Sequence, residues 1–390
     1  MALQTLLGSN AIAEVAVNCG IEVVGAYPIT PSTPIAHALN KHWANGRIPK
    51  FVAVESEHSA ISVITGASAA GARVFSATSG QGLLLMHEVL SATSGMRIPV
   101  VMCVANRAIS APLNVWNDEQ DTVMQRDAGW IQLYCKNNQE AVDTIPQAFV
   151  IAEKTYLPVM VCVDGFYLTH CVEQVEMPDP EKVRAFVGKY ENPYKLDSGK
   201  PISLGVYAAP NEYQEFRQDF CADMEKALFA VEKAGRDYAS VCGREYGFFG
   251  AYDVEGADRV MLSLGSVCTN IEKVVDKLRA KGEKVGVLHL RVYMPFPREQ
   301  LRKALQGKHV MVIERDVSPG AAPPVFTDVS EALYGTGTTM SYAIGALGGR
   351  DVKPAEYEGL FARMKEGKAI RGAWIGQNPD ATVPAPLHKE

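Results

Sequence analysis

Through the first part of the chain, short runs of β-branched and aliphatic residues alternate with longer stretches whose apolar positions recur every three to four residues, with Gly or Pro between them. This pattern predicts buried parallel strands joined by helices, a doubly wound α/β domain. Ser9 or Asn10 can cap a helix ending near Cys19, and Gly20 suits the left-handed position after it. Strands are expected at Glu22–Tyr27, Phe51–Val54, Arg73–Ala77, Pro99–Ala105 and Pro158–Val163, and helices at Ser56–Ala70, Gln81–Ser94 and Gln139–Lys154. From Glu173 to Glu255, prolines at 178, 180, 193, 201 and 210 break the pattern, so we expect an irregular excursion with one helix near Tyr213–Lys233. A second α/β unit follows, with strands at Arg259–Leu264, Lys284–Leu290, His309–Ile313 and Met340–Ile344 and helices at Thr269–Ala280 and from Pro297. The expected fold class is α/β, with two doubly wound α/β domains of unequal size.

Composition narrows the function classes. With 47% hydrophobic and 21% charged residues over 390 positions, the chain can bury two ordinary cores, which excludes a disordered protein. The net charge is -6 and no block of five or six lysines or arginines occurs, so nucleic-acid binding is excluded. No apolar run reaches the roughly 18 residues of a membrane span, and the opening MALQTLLGSNAIAEVAVNCG is too interrupted by polar residues for a signal peptide. A cytoplasmic protein is expected. The eight cysteines stand singly, mostly in apolar runs and without a CxxC pair, which favours buried reduced thiols over an iron–sulfur or zinc site on this chain.

Four segments carry candidate chemistry. The loop Tyr27-Pro28-Ile29-Thr30-Pro31-Ser32-Thr33-Pro34 follows the first strand, and its prolines stiffen the presentation of the Thr30, Ser32 and Thr33 hydroxyls. It lies where open α/β sheets bind ligands, although helix capping would use the same residues. Glu55-Ser56-Glu57 ends an apolar strand and opens a helix of small residues; either the two acids complement the helix dipole, or one is a buried carboxyl group able to share a proton with a ring nitrogen. Ser79-Gly80-Gln81-Gly82 is a turn whose backbone amides can meet an anion or a ring edge. Arg107 ends another strand, placed either to grip a carboxylate or to pair with Asp118, Glu119 or Asp121. That acidic run is itself open to two readings, a solvated loop or a divalent-metal site.

Taken in order, YPITPSTP, ESEHSA, TSGQGLLLMHE, NRAISAP, WNDEQD, VYMPFP and ALGGRD resemble the alpha subunit of pyruvate:ferredoxin oxidoreductase and its 2-oxoacid:ferredoxin relatives, from about residue 5 to 352. The resemblance implies a thiamine-diphosphate pyrimidine-binding domain at 1–245 followed by a transketolase C-terminal-like domain at 256–350, and leaves 351–390 as a C-terminal tail that it does not cover. It implies oxidative decarboxylation of a 2-oxoacid, pyruvate first, with coenzyme A to acyl-CoA, CO2 and reduced ferredoxin. Glu57 matches the carboxyl group that hydrogen-bonds the aminopyrimidine ring, with Glu55 in reserve; Thr30 and Arg107 match the hydroxyl and the cation that meet the oxoacid. Tyr27, Pro28, Ile29, Ser79 and Gln81 complete the expected cofactor-binding set, with no metal ligand on this chain.

Family enzymes anchor the diphosphate through Mg2+ with a GDG segment, and none occurs here; Asp164-Gly165 lacks the leading glycine. The resemblance therefore implies a beta subunit holding the diphosphate, Mg2+ and a 4Fe-4S cluster, with gamma and ferredoxin-like delta subunits beside it. The thiamine diphosphate would be shared at a subunit boundary. Rival readings are the same reaction on a branched-chain or aromatic oxoacid (2-oxoisovalerate, phenylglyoxylate), a transketolase-like enzyme without electron transfer, or a noncatalytic structural subunit.

Overall fold

The structure, a computed structural model, describes residues 2–381. Its first sheet has seven strands, in the order Val292–Met294, Ile131–Cys135, Val159–Asp164, Val101–Asn106, Val74–Thr78, Val23–Ala26 and Lys50–Ala53. Neighbours are parallel except Val292–Met294, which runs antiparallel to Ile131–Cys135. The strands are apolar on both faces, as a doubly covered parallel sheet requires. Side-chain alternation then sorts them: Val101, Cys103 and Ala105 pack with helices Gly8–Asn18, Thr33–Ala44 and Asn138–Thr155, whereas Met102 and Val104 pack with helix Glu57–Ala69. From Val23–Ala26 the chain goes first to Lys50–Ala53 on one side and then to Val74–Thr78 on the other. The strand order thus reverses at this point, and a crevice opens past the C-terminal strand ends.

The second sheet runs Ala373–Trp374, Thr339–Ile344, His309–Glu314, Arg259–Ser263, Val285–Leu290 and Phe249–Tyr252, parallel except for the last pair. Its Val260, Leu262, Leu288 and Val312 share one core with Met102, Val104, Trp130 and Met160 of the first unit. A continuous apolar interior therefore fastens the two units together. The opposite face, with Met261, Val287 and Met311, packs against helices Val267–Arg279 and Pro354–Met364.

Several elements depart from the sequence reading. The segment from Asp351 does not stand apart as a tail: Tyr357, Leu360, Phe361 and Met364 bury their apolar side chains in the second unit, and Ala373–Trp374 adds an edge strand. Residues 382–390 of that segment lie outside the described residues. The expected helix Gln81–Ser94 is two helices, Gly80–Leu85 and His87–Gly95, meeting at Met86. A ribbon of Ala2–Leu7 with Val172–Met177 was not anticipated, nor was strand Ile131–Cys135. The excursion, carrying helix Tyr213–Asp237, is tied to helix Asn138–Thr155 through buried Asp143, which accepts from Tyr246 Oη (2.6 Å), Arg244 Nε (2.7 Å) and Tyr238 Oη (3.1 Å). Among the described residues no helix is long and apolar enough to cross a membrane. All eight cysteines are free and six are buried.

Candidate active site

Glu57 is the first residue of helix Glu57–Ala69, whose cap is the Ser56 hydroxyl accepting from Ser59 N at 3.2 Å. The helix lies tight on strand Val23–Ala26 because Gly25 has no side chain; a Cβ there would stand 2.7 Å from the Ala60 carbonyl oxygen. This close approach puts the Glu57 carboxyl at the crevice, only 5% exposed. The turn at Gly82 receives it, and a Cβ on Gly82 would lie 2.6 Å from Glu57 Oε1. Glu55 points elsewhere: it is exposed and accepts from the Ser59 hydroxyl. Burial thus separates two acids that composition and spacing leave equivalent, in favour of the one the resemblance implied.

Arg107 follows strand Val101–Asn106 and is 7% exposed. None of its three alternative partners, Asp118, Glu119 and Asp121, pairs with the guanidinium, which makes no ion pair among the described residues. Instead NH1 donates to the Thr30 carbonyl (3.1 Å) and Nε to the Asn114 carbonyl (3.2 Å). Burial lowers its pKa, and Asp121 and Glu57 offset this in part. Gly80, with φ +48°, lets the arginine pass; a Cβ there would meet Arg107 Cδ at 3.0 Å. A buried cation held only by carbonyl oxygens retains capacity for an anion.

The Thr30 side chain is exposed beside this contact, and Tyr27 and Ile29 are half-buried while Pro28 is exposed. Pro31 packs on Gly165, where a Cβ would come within 2.4 Å of its ring. The loop after strand Val23–Ala26 is thereby pinned against the loop after Val159–Asp164. Across the crevice, Thr78 Oγ1, Ser79 Oγ and both amide atoms of Gln81 are buried without a hydrogen-bond partner. Each such group costs about 1–3 kcal/mol if left unpaired, so four orphaned atoms beside a buried acid fit a polar ligand with several hydrogen-bonding edges. The structure therefore brings together Glu57, Arg107, Thr30, Ser79 and Gln81 around one crevice.

The acidic run Asn117–Asp121 is buried, not a solvated loop. Asn117, Asp118, Glu119 and Asp121 are all buried, and the described residues contain no cluster of three or more metal-ligating side chains. Asp118 accepts from Gly348 N (3.1 Å), and burial pushes its carboxyl up to about 6. Glu119 pairs with Arg315 at 2.8 Å, and the same arginine reaches Asp164 at 2.7 Å. The loop is a polar clasp between the two units. The structural parts played by Asn106, Asn114 and Asp121 leave no local signature, because partners such as Gly80 for Asp121 and Gly348 for Asn114 lie far along the chain.

Comparison with known proteins adds to this geometry. A family model described as "Pyruvate flavodoxin/ferredoxin oxidoreductase, thiamine diP-bdg" matches residues 14–236, and "Pyruvate:ferredoxin oxidoreductase core domain II" matches 257–357. The chain is 41% identical over 380 residues to pyruvate synthase subunit PorA of Methanothermobacter thermautotrophicus, covering 96% of this chain and 98% of that one. It is 39% identical over 366 residues to ketoisovalerate oxidoreductase subunit VorA of Pyrococcus horikoshii, covering 92% and 93%. A solved 2-oxoglutarate:ferredoxin oxidoreductase from Magnetococcus marinus, with 2-oxoglutarate, coenzyme A and succinyl-CoA bound, is similar with TM-score 0.70 at 21% identity. That match covers 93% of this chain and 65% of the other, and is a likeness of fold.

Proposed function

Because the chain belongs to the pyruvate flavodoxin/ferredoxin oxidoreductase family, we propose that it is the alpha subunit of a cytoplasmic, thiamine-diphosphate-dependent pyruvate:ferredoxin oxidoreductase. The complex decarboxylates pyruvate oxidatively with coenzyme A, yielding acyl-CoA, CO2 and reduced ferredoxin. Its first unit, residues 1–245, is the pyrimidine-binding domain, and residues 256–350 form the core of the transketolase C-terminal-like domain. One observation carries the reading: a buried acid, Glu57, and a buried cation without a carboxylate partner, Arg107, flank the turn Ser79–Gly82.

Thiamine diphosphate, when bound, supplies the nucleophilic carbon and the electron sink that decarboxylation of a 2-oxoacid needs. Glu57 holds a proton for exchange with the aminopyrimidine ring, and its burial keeps competing water away. Ser79, Gln81 and Thr78 offer their unpartnered atoms to the same ring, with Tyr27, Pro28 and Ile29 beside it. Arg107 receives the oxoacid carboxylate through charge-assisted hydrogen bonds, and the Thr30 hydroxyl meets its oxo group. Replacing Arg107 by alanine is expected to raise the apparent KM for the oxoacid about 10- to 100-fold with a smaller change in kcat. Initial-rate kinetics check this, and an unaltered substrate dependence would reject the clamp.

The chain holds only part of such a site. It has no GDG segment for Mg2+ and diphosphate and no CxxC spacing for clusters, so a beta subunit supplies Mg2+, the diphosphate anchor and a 4Fe-4S cluster, with gamma and ferredoxin-like delta subunits completing the path to ferredoxin. Small exposed residues on two helices of the first unit suit close docking. Ser62 and Gly66 on one helix and Ala92 and Gly95 on another are exposed, and open space surrounds the missing Cβ of both glycines. The test is a panel of 2-oxoacids on the native complex with a low-potential dye, with and without coenzyme A. Pyruvate as the best substrate, with thiamine and coenzyme A both required, supports the proposal. A preference for 2-oxoisovalerate, the reading that the VorA relative favours, would move the substrate but keep the reaction. Turnover without coenzyme A or dye reduction would overturn it.

A further inference from the structure

Asp121 is fully buried at the start of the short helix Gln120–Val123, next to the crevice but outside it. Its carboxylate accepts four hydrogen bonds. Oδ2 takes the backbone N–H of Gly80 (2.9 Å) and of Arg107 (3.0 Å), and Oδ1 takes Asn106 Nδ2 (2.8 Å) and the N–H of Thr122 (2.8 Å). Gly80 and Arg107 begin the turns after two adjacent parallel strands, Val74–Thr78 and Val101–Asn106. One oxygen atom therefore ties together the turn that receives Glu57 and the residue that carries the free guanidinium. The carboxylate is itself held firmly, because Thr122 accepts from Asn106 Nδ2 (2.6 Å) and Tyr134 Oη (2.8 Å) and its carbonyl accepts from Gln132 Nε2 (2.9 Å).

We propose that Asp121 is a positioning residue that sets the separation between the oxoacid clamp at Arg107 and the Ser79–Gly82 turn facing Glu57. This rests on the function proposed above, since it assigns those two elements to oxoacid and cofactor. The rival account makes Asp121 the counter-charge of Arg107. Geometry favours positioning, because the carboxylate binds the backbone N–H of Arg107 while the guanidinium is turned to the carbonyls of Thr30 and Asn114.

A pair of substitutions separates the two accounts. Asp121→Asn removes the charge but keeps the Oδ2 acceptor for Gly80 and Arg107; the Asn106 amide can turn over and offer its Oδ1 to the new NH2 group, and the Thr122 N–H alone loses its acceptor. Asp121→Ser removes the charge and is too short to bridge both turns. Both would be purified as the assembled complex and compared with wild type for oxoacid KM, kcat and the Kd of thiamine diphosphate, the last by quenching of intrinsic fluorescence. Positioning predicts an asparagine variant near wild type and a serine variant with oxoacid KM raised about tenfold and cofactor Kd raised several-fold. Equal impairment of both variants assigns the effect to charge and overturns the proposal, as do two variants with wild-type constants. Should the serine chain not assemble, Asp121→Glu replaces it, keeping the charge and lengthening the arm. An impaired glutamate beside a normal asparagine then upholds positioning, and the reverse order overturns it. A wild-type complex without thiamine-dependent oxoacid turnover would instead bring down the proposed function, and the positioning role with it.

Discussion

Glu57→Gln is expected to lower the oxoacid turnover of the assembled complex by about two to four orders of magnitude, the range over which a positioned proton-transfer group contributes. Glutamine fills the same volume against Gly82, so the close contact at that glycine and the seat of the helix on Gly25 persist. What disappears is the ionisable proton. No group among the described residues donates a hydrogen bond to the Glu57 side chain, so its removal strands no protein partner, and the thermal midpoint should move little. Glu55→Gln, one turn edge away and exposed, supplies the control and should retain nearly full activity. Steady-state dye reduction, with cofactor Kd measured in parallel, distinguishes lost chemistry from lost binding. Turnover within about twofold of wild type would remove Glu57 from the mechanism.

The parts legible in the sequence are those decided by neighbours along the chain. Strand Val101–Asn106 announces itself because all six residues are buried and apolar up to the terminal Asn, and Gly20, at φ +77°, closes the helix where its spacing requires. Strand Ile131–Cys135 did not, because Gln132 interrupts a short run; the glutamine is buried only by virtue of Thr122, whose carbonyl it bonds. Likewise Ala2–Leu7 becomes a strand by pairing with Val172–Met177, far along the chain, which local periodicity does not encode. The site divides along the same line. Glu57, Thr30 and Arg107 occur at strand ends, where composition marks them, but the preference for Glu57 over Glu55 emerges from packing against Gly82. The acidic run WNDEQD misleads for the same reason: its charges look solvated until the sheet order brings Arg315 and Gly348 onto them.

The second large effect is expected from Arg315→Met, which should destabilise the chain by about 3–5 kcal/mol by stranding two buried carboxyl groups. Arg315 is 3% exposed and binds both Glu119 and Asp164, while Asp164 also accepts from Ser266 N at 2.8 Å. Burial pushes Glu119 well above the usual carboxylate range even beside the arginine. Burial would raise Asp164 too, but Arg315 and Ser266 outweigh it and hold its pKa below the usual value. Arg315 thus offsets the charge of Asp164, while burial disfavours a second negative charge on Glu119. In wild type, the Asp164 contribution is present above the unfolded carboxyl pKa of about 4 and fades as pH falls. Without Arg315 the sign reverses for Asp164, which joins Glu119 in titrating higher in the folded chain than in the unfolded one, so stability declines more steeply as pH rises above about 4. Urea unfolding should therefore show a larger deficit at pH 8 than at pH 5.5, and a pH-independent deficit would contradict the charge account. The consequence reaches the crevice, because Glu119 and Asp121 belong to one buried loop and the Arg315 carbonyl accepts from Glu119 N (2.8 Å). A second unit loosened at Arg315 releases the loop from which Asp121 steadies Gly80 and Arg107, so oxoacid KM should rise in the same variant before global unfolding sets in.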